Sequence, residues 1–131
     1  MFLVDTSVWI ETFRKPSRFD ITSVIGFDEV VTCLPVIQEV LQGFLEEPAF
    51  RIARDAMFAL PLIEAPLARG VFEEAVQLYR TARRTGVTIR SSVDCLIAAC
   101  AIRQGIPVLH HDRDFSLLAQ VSSLKEQRIS L

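Results

Sequence analysis

The sequence is poor in the residues that mark unusual classes of protein. Five glycines and six prolines in 131 residues are too few for a linker-rich or low-complexity chain, and no repeat or block of like charge is present. Disordered and solenoid architectures therefore lack support. Cys33, Cys95 and Cys100 form an odd set, with neither CxxC spacing nor nearby paired histidines, which argues against a disulfide framework and a structural zinc site. They are expected to be buried, reduced thiols. A net charge of -2 offers no bulk attraction to a polyanion, so any nucleic-acid contact must come from a local group of cations. The first residues lack the cationic start and cleavage site of a secretory signal, and no apolar run reaches bilayer-spanning length, so a cytoplasmic protein is expected.

What the chain does have is apolar material. Half of its residues are hydrophobic, enough at this length for one substantial core, and residues 1–131 are expected to form a single domain. FLV reads as a short central strand and DTSVWIETFR as a helix, with Trp9 in the core. EVVTC reads as a second strand, and Pro35 suits the first turn of the helix that follows. Helices are expected around 49–59 and 67–85, with LPLIEAP a short strand between them. Ser91 begins a helix that ends at Gly105, Val108 and Leu109 lie in the next strand, Asp112–Ala119 is helical, and QRIS suits an edge strand. Alternating strands and helices imply an α/β protein with a central, mostly parallel sheet of four to five strands.

In such a sheet, ligand sites gather outside the carboxyl ends of the strands. Asp5 ends the first strand, Asp112 ends the strand VLHH, and Asp94 lies in the first turn of a helix that must start on the same edge. Glu39 lies one turn into the helix leaving the second strand, beside Gly43. Four acids from distant parts of the chain are thus expected to face one small volume. Like charges held together need protons or cations to neutralise them, and an all-oxygen donor set favours Mg2+ or Mn2+ over zinc. A divalent ion there would activate a water for phosphodiester hydrolysis.

The ordered set of DTSVWI, Glu39 in QEVLQG, Asp94 in SSVDCLIAACA and DRDF resembles the PIN-domain ribonucleases, in particular the VapC toxins of toxin-antitoxin pairs. The resemblance extends over essentially the whole chain. It implies a three-layer α/β/α fold, with Asp5, Glu39, Asp94 and Asp112 as the acidic quartet around Mg2+ or Mn2+, and Asp114 as an accessory to Asp112 or its substitute. Thr6 or Ser7 would orient a water or a carboxylate. It also implies an endoribonuclease acting on RNA, tRNA or rRNA among the possible targets, usually a homodimer, held inactive by a VapB-like antitoxin that places a basic residue in the acidic cleft.

Each acid also has a plainer reading. Asp5 and Asp112 suit helix N-caps, Ser91 and Asp94 fit an S-x-x-D capping box, Asp114 would favour the last helix's dipole, and Glu39 alone would be a solvated helix residue. Those readings need four separate causes where metal binding needs one. His110 and His111 are assigned to packing or surface roles, since neighbours on a strand face opposite ways. Twelve of the fourteen basic residues are arginine, and Arg113, beside the acids, is the expected backbone-phosphate contact. Two other functions compete. A phosphatase of the haloacid dehalogenase type would carry a second aspartate where Ser7 stands, and a non-catalytic domain would bind metal or partners without turnover.

Overall fold

The computed structural model describes residues 1–131. In chain order it contains β1 (Phe2–Val4), α1 (Thr6–Phe13), β2 (Val30–Val31), α2 (Leu34–Gln42), α3 (Glu47–Phe58), α4 (Arg69–Arg84), α5 (Ser92–Gln104), β3 (Val108–His110), α6 (Arg113–Gln120) and β4 (Glu126–Arg128). Two short 3-10 turns, Ile21–Ser23 and Phe27–Glu29, lie between α1 and β2. The strands form one sheet in the order β2-β1-β3-β4, every neighbouring pair parallel.

Strand residues explain why the sheet is central. Leu3, Val4, Val30, Val31, Val108 and Leu109 are all at most 2% exposed. Successive strand residues point to opposite faces, so burial of consecutive residues means that both faces are covered by helices. That is a three-layer arrangement. Helix α5 is apolar nearly all round, burying Cys95, Ile97, Ala98, Ala99, Cys100 and Ala101, and it packs against α2, α4 and α6. Its end is set by Gly105, whose φ of 66° is a left-handed conformation that costs glycine nothing; the Ile106 N–H then closes the turn on the Ala101 carbonyl at 3.1 Å.

One sequence expectation is corrected, and one plainer reading of a site residue is not met. LPLIEAP does not form a strand: it makes only a single parallel bridge, Thr32 with Leu62. Pro61 has no N–H to donate, and Glu64 adopts a left-handed φ of 50° that turns the chain away from the sheet. The S-x-x-D box also fails to form, since Ser91 caps α5 without any side-chain hydrogen bond.

The connection order positions the site. From β1 the chain moves to β2 on one side, then crosses back to β3 on the other, so the strand order reverses between β1 and β3. A reversal of this kind opens a crevice at the carboxyl edge. Register holds the two strand ends level: Val4 pairs with Leu109, and the Asp5 N–H donates to the Leu109 carbonyl at 2.9 Å.

Because Ile97 is fully buried where α5 meets the core, Ile97→Ala is expected to lower unfolding free energy by about 2–5 kcal/mol through lost burial and the cavity left behind. Urea unfolding followed by circular dichroism measures the change, and a loss under about 1 kcal/mol would contradict this packing.

Candidate metal centre at the carboxyl edge of the sheet

The crevice is a cavity of about 180 Å³ lined by Asp5, Thr6, Ser7, Ile10, Glu39, Ser91, Asp94 and Asp112. A larger apolar groove, about 390 Å³ between α4 and α5, contains no carboxylate. The smaller cavity is therefore the chemically equipped one.

Asp5 leaves β1 with extended backbone and caps α1, its Oδ2 accepting the Ser7 N–H at 3.0 Å and the Ser7 hydroxyl at 2.5 Å. The same Ser7 oxygen accepts the His111 N–H at 2.9 Å, tying the start of α1 to the end of β3. Thr6 donates its hydroxyl to Glu39 Oε1 at 2.9 Å, which holds the α2 carboxylate against α1. Asp112 Oδ1 caps α6 by accepting the Asp114 N–H at 2.9 Å. Asp114, only 1% exposed, accepts the backbone N–H groups of Arg90 and Ser91 on Oδ2 at 3.1 and 3.2 Å. Capping and clustering thus coexist in the same side chains.

The acids fall into two overlapping groups, Asp5 with Glu39 and Asp94, and Asp94 with Asp112 and Asp114. Within each group one ligand oxygen per residue lies within 4.8 Å of the others, and Asp94 belongs to both. Asp5 Oδ1, Asp94 Oδ2 and Asp114 Oδ1 are buried without any hydrogen-bond partner. An unpartnered buried carboxylate oxygen is costly; Asp5 and Asp94, which line the cavity, each carry one and the adjoining Asp114 carries a third, an arrangement that a bound cation would relieve. No histidine or cysteine lines the cavity, and the oxygen-only donor set fits a hard divalent ion.

Electrostatics agree. Burial pushes the Asp5 carboxyl up to about 6, against the opposing hydrogen bonds from Ser7 and with a further upward push from Glu39. Asp94 is pushed up to about 9, by burial first and then by the charges of Asp5 and Asp112 and the nearby Asp114. Without a cation, protons must supply the missing positive charge.

Sequence reasoning placed Asp5, Glu39, Asp94, Asp112, Asp114, Thr6 and Ser7 near one another, and the fold brings them together. Arg113 is different: it is exposed, forms no ion pair, and lines a separate depression with Gly86, Val87 and Ser116. Helical residues one apart point about 100° away from each other, so Arg113 cannot share the direction of the acids flanking it. The cation beside the carboxylates is Arg90, with Nη2 3.8 Å from Asp112 Oδ1 and Nε 3.9 Å from Asp114 Oδ1. Its only sequence signal was a place just before the cap of α5. His110 is fully buried, its Nδ1 accepting the Asp112 N–H while Nε2 meets Glu126 at 3.0 Å. Burial holds its pKa below the usual histidine value despite Glu126, and it remains a packing residue.

The PIN-domain family profile matches residues 2–121. Ribonuclease VapC11 of Mycobacterium tuberculosis is 35% identical over 130 residues, covering 95% of this chain and 96% of that protein. Among solved structures, VapBC2 from Rickettsia felis, bound to a DNA fragment from its promoter, superposes with a TM-score of 0.79 at 13% identity, covering 98% of both chains. The toxin-antitoxin complex VapBC-5 from Mycobacterium tuberculosis superposes with a TM-score of 0.75 at 21% identity, again over 98% of both chains. At these identities the structural likeness concerns the fold.

Asp5 and Asp94 keep their protons to higher pH in the folded protein than the ordinary aspartate value of 3.8. The native state then binds more protons than the unfolded chain, so metal-free stability is expected to fall as pH rises through about 6 and on toward 9. Mg2+ takes over the protons' role. It is expected to raise Tm more at about pH 8.5 than at about pH 5. Thermal melts with Mg2+ or chelator test this, and an equal effect at both pH values would refute it.

Proposed function

The chain belongs to the PIN-domain family, and we propose that it is a divalent-metal-dependent endoribonuclease, the toxin of a VapBC-type pair. The observation that carries this reading is the pair of overlapping acidic groups at the carboxyl edge of the sheet, in which Asp5, Asp94 and Asp114 each keep a buried oxygen without a hydrogen-bond partner. The named ribonuclease relative, matched over nearly all of both chains, supports the RNA substrate.

Asp5, Glu39 and Asp94 are the residues that would hold Mg2+, or Mn2+ in its place, on one side, and Asp94 with Asp112 and Asp114 on the other. A bound divalent ion supplies a Lewis acid that eases deprotonation of water and stabilises charge on phosphoryl oxygens. The chain's own residues do the positioning. Ser7 fixes one oxygen of Asp5 and leaves the other buried and unpartnered; Thr6 holds one oxygen of Glu39. Their carboxylates are thereby oriented before anything binds, which avoids reorganisation during reaction. Asp94, shared by both groups, is the proposed proton acceptor. With water as the nucleophile, the 3'-oxygen leaves and the products carry 5'-phosphate and 3'-hydroxyl ends.

An antitoxin partner fits the surroundings of the cleft. Ile10 lines both the acidic cavity and a neighbouring apolar groove of about 260 Å³ formed with Phe13, Arg14, Val40, Gly43 and Phe44. A segment with an apolar face and one basic residue would cover the groove and neutralise the cleft together. This extends the reading drawn from the VapBC-5 complex. The protein is expected to act in the cytoplasm as a homodimer, and no helix is long and apolar enough to cross a membrane.

Asp5→Asn and Asp94→Asn are each expected to reduce RNA cleavage by at least about 100-fold, an effect typical of losing a group that acts on the reacting centre. Both variants should stay folded, and Asp94→Asn should gain metal-free stability at alkaline pH because it removes a repelling charge. Mapping of ends after incubation with total RNA and Mg2+ or chelator provides the assay. Ends bearing 2',3'-cyclic phosphate would reject the mechanism, and metal-independent cleavage would reject the assignment of the carboxylates.

A further inference from the structure

We infer that Arg90 is the residue that holds an RNA backbone phosphate at this site, and that Asp114 positions it. The inference rests on the ribonuclease reading above. An acidic cleft repels the very substrate it must cut, and a net charge of -2 gives no help from the rest of the molecule. Phosphate approach needs a cation at the rim. Of the chain's basic side chains, Arg90 alone lies within 4.0 Å of any of the five carboxylates.

Its geometry suits transfer from carboxylate to phosphate. At 3.8 and 3.9 Å its two contacts are longer than hydrogen bonds, and the side chain is 63% exposed, so the guanidinium donors are uncommitted. Solvent around the exposed guanidinium screens both contacts, so neither commits Arg90 to Asp112 or Asp114. The backbone beneath is held firmly instead. Asp114 Oδ2 accepts both the Arg90 and the Ser91 N–H, fixing this turn to α6 while the side chain above it stays free. Arginine also presents two parallel donors that match a phosphate's oxygens, which lysine cannot do.

This geometry divides the work between the two aspartates of DRDF. Asp112 caps α6 and lines the cleft, whereas Asp114 has one oxygen fastened to the turn bearing Arg90 and the other 3.9 Å from the Arg90 Nε, while the residue as a whole stays grouped with Asp94 and Asp112. Asp114 thus couples the RNA-binding turn to the metal-binding wall.

The test uses a single-stranded oligoribonucleotide containing a site mapped with the unmodified protein. Arg90→Ala is expected to raise KM about 10- to 100-fold with a smaller change in kcat, as for loss of one charge-assisted contact. Arg90→Lys should recover only part of the affinity. In the inactive Asp94→Asn background, fluorescence anisotropy should show the same loss of binding, and the slope of log affinity against log salt should shrink by about 0.7, the value for one phosphate contact on a single strand. Asp114→Ala should shrink that slope equally. Unchanged KM, affinity and salt slope in Arg90→Ala, with circular dichroism confirming the fold, would overturn the inference while leaving the ribonuclease intact. If the unmodified protein neither binds nor cuts RNA, the parent reading falls and takes this one with it.

Discussion

Adjacency of β1 and β3 is the constraint on which the site depends. More than a hundred residues separate these strands, yet their pairing sets Asp5 level with the end of β3 and opens the crevice where the strand order reverses. The Ser7 hydroxyl locks this junction, donating to Asp5 and accepting from the His111 backbone. Helix α5 completes it by delivering Asp94 from beneath, because its apolar body is gripped by α2, α4 and α6. A buried acid can be held in such a place only because the surrounding core cannot easily move away from it.

The carboxylates share a pattern. Asp5, Glu39, Asp112 and Asp114 each have an oxygen fixed by a hydrogen bond, from Ser7, Thr6, Asp114 and the Arg90–Ser91 turn respectively. Fixing one oxygen orients the other. The remaining oxygens of Asp5 and Asp114 are buried and unpartnered, a local cost that the fold carries at this edge. Asp94 carries the largest electrostatic burden, since it lies in both acidic groups and its carboxyl is pushed up to about 9. A cation that relieves Asp94 relieves both groups at once.

Cap and ligand are often treated as competing explanations for an aspartate after a strand. Asp5 and Asp112 each cap a helix while lining the cavity, so the two need not compete, because a carboxylate has two oxygens. One satisfies the first turn of the helix while the other remains available to the cleft, and the capped backbone determines its direction. His110 fills the complementary structural role, fully buried and bridging the turn before α6 to Glu126 at the sheet edge.

Strand and helix identities were legible in the sequence because short two-sided apolar runs and helical spacing are local signals; Pro35 and Gly105 marked a helix start and end for equally local reasons. The acidic residue types, at strand ends and in first helical turns, were legible too, since a parallel sheet directs such positions to one edge. LPLIEAP misled because apolar content says nothing about whether backbone donors reach a neighbour. Only the tertiary structure decided which oxygens are fastened and which are free, that Arg90 and not Arg113 stands beside the acids, and that Asp114 clamps the turn carrying it. Those relations join residues up to 33 positions apart through hydrogen bonds whose directions depend on how helices pack. Residue order determines which groups a chain carries to an edge; packing in three dimensions determines which way they point.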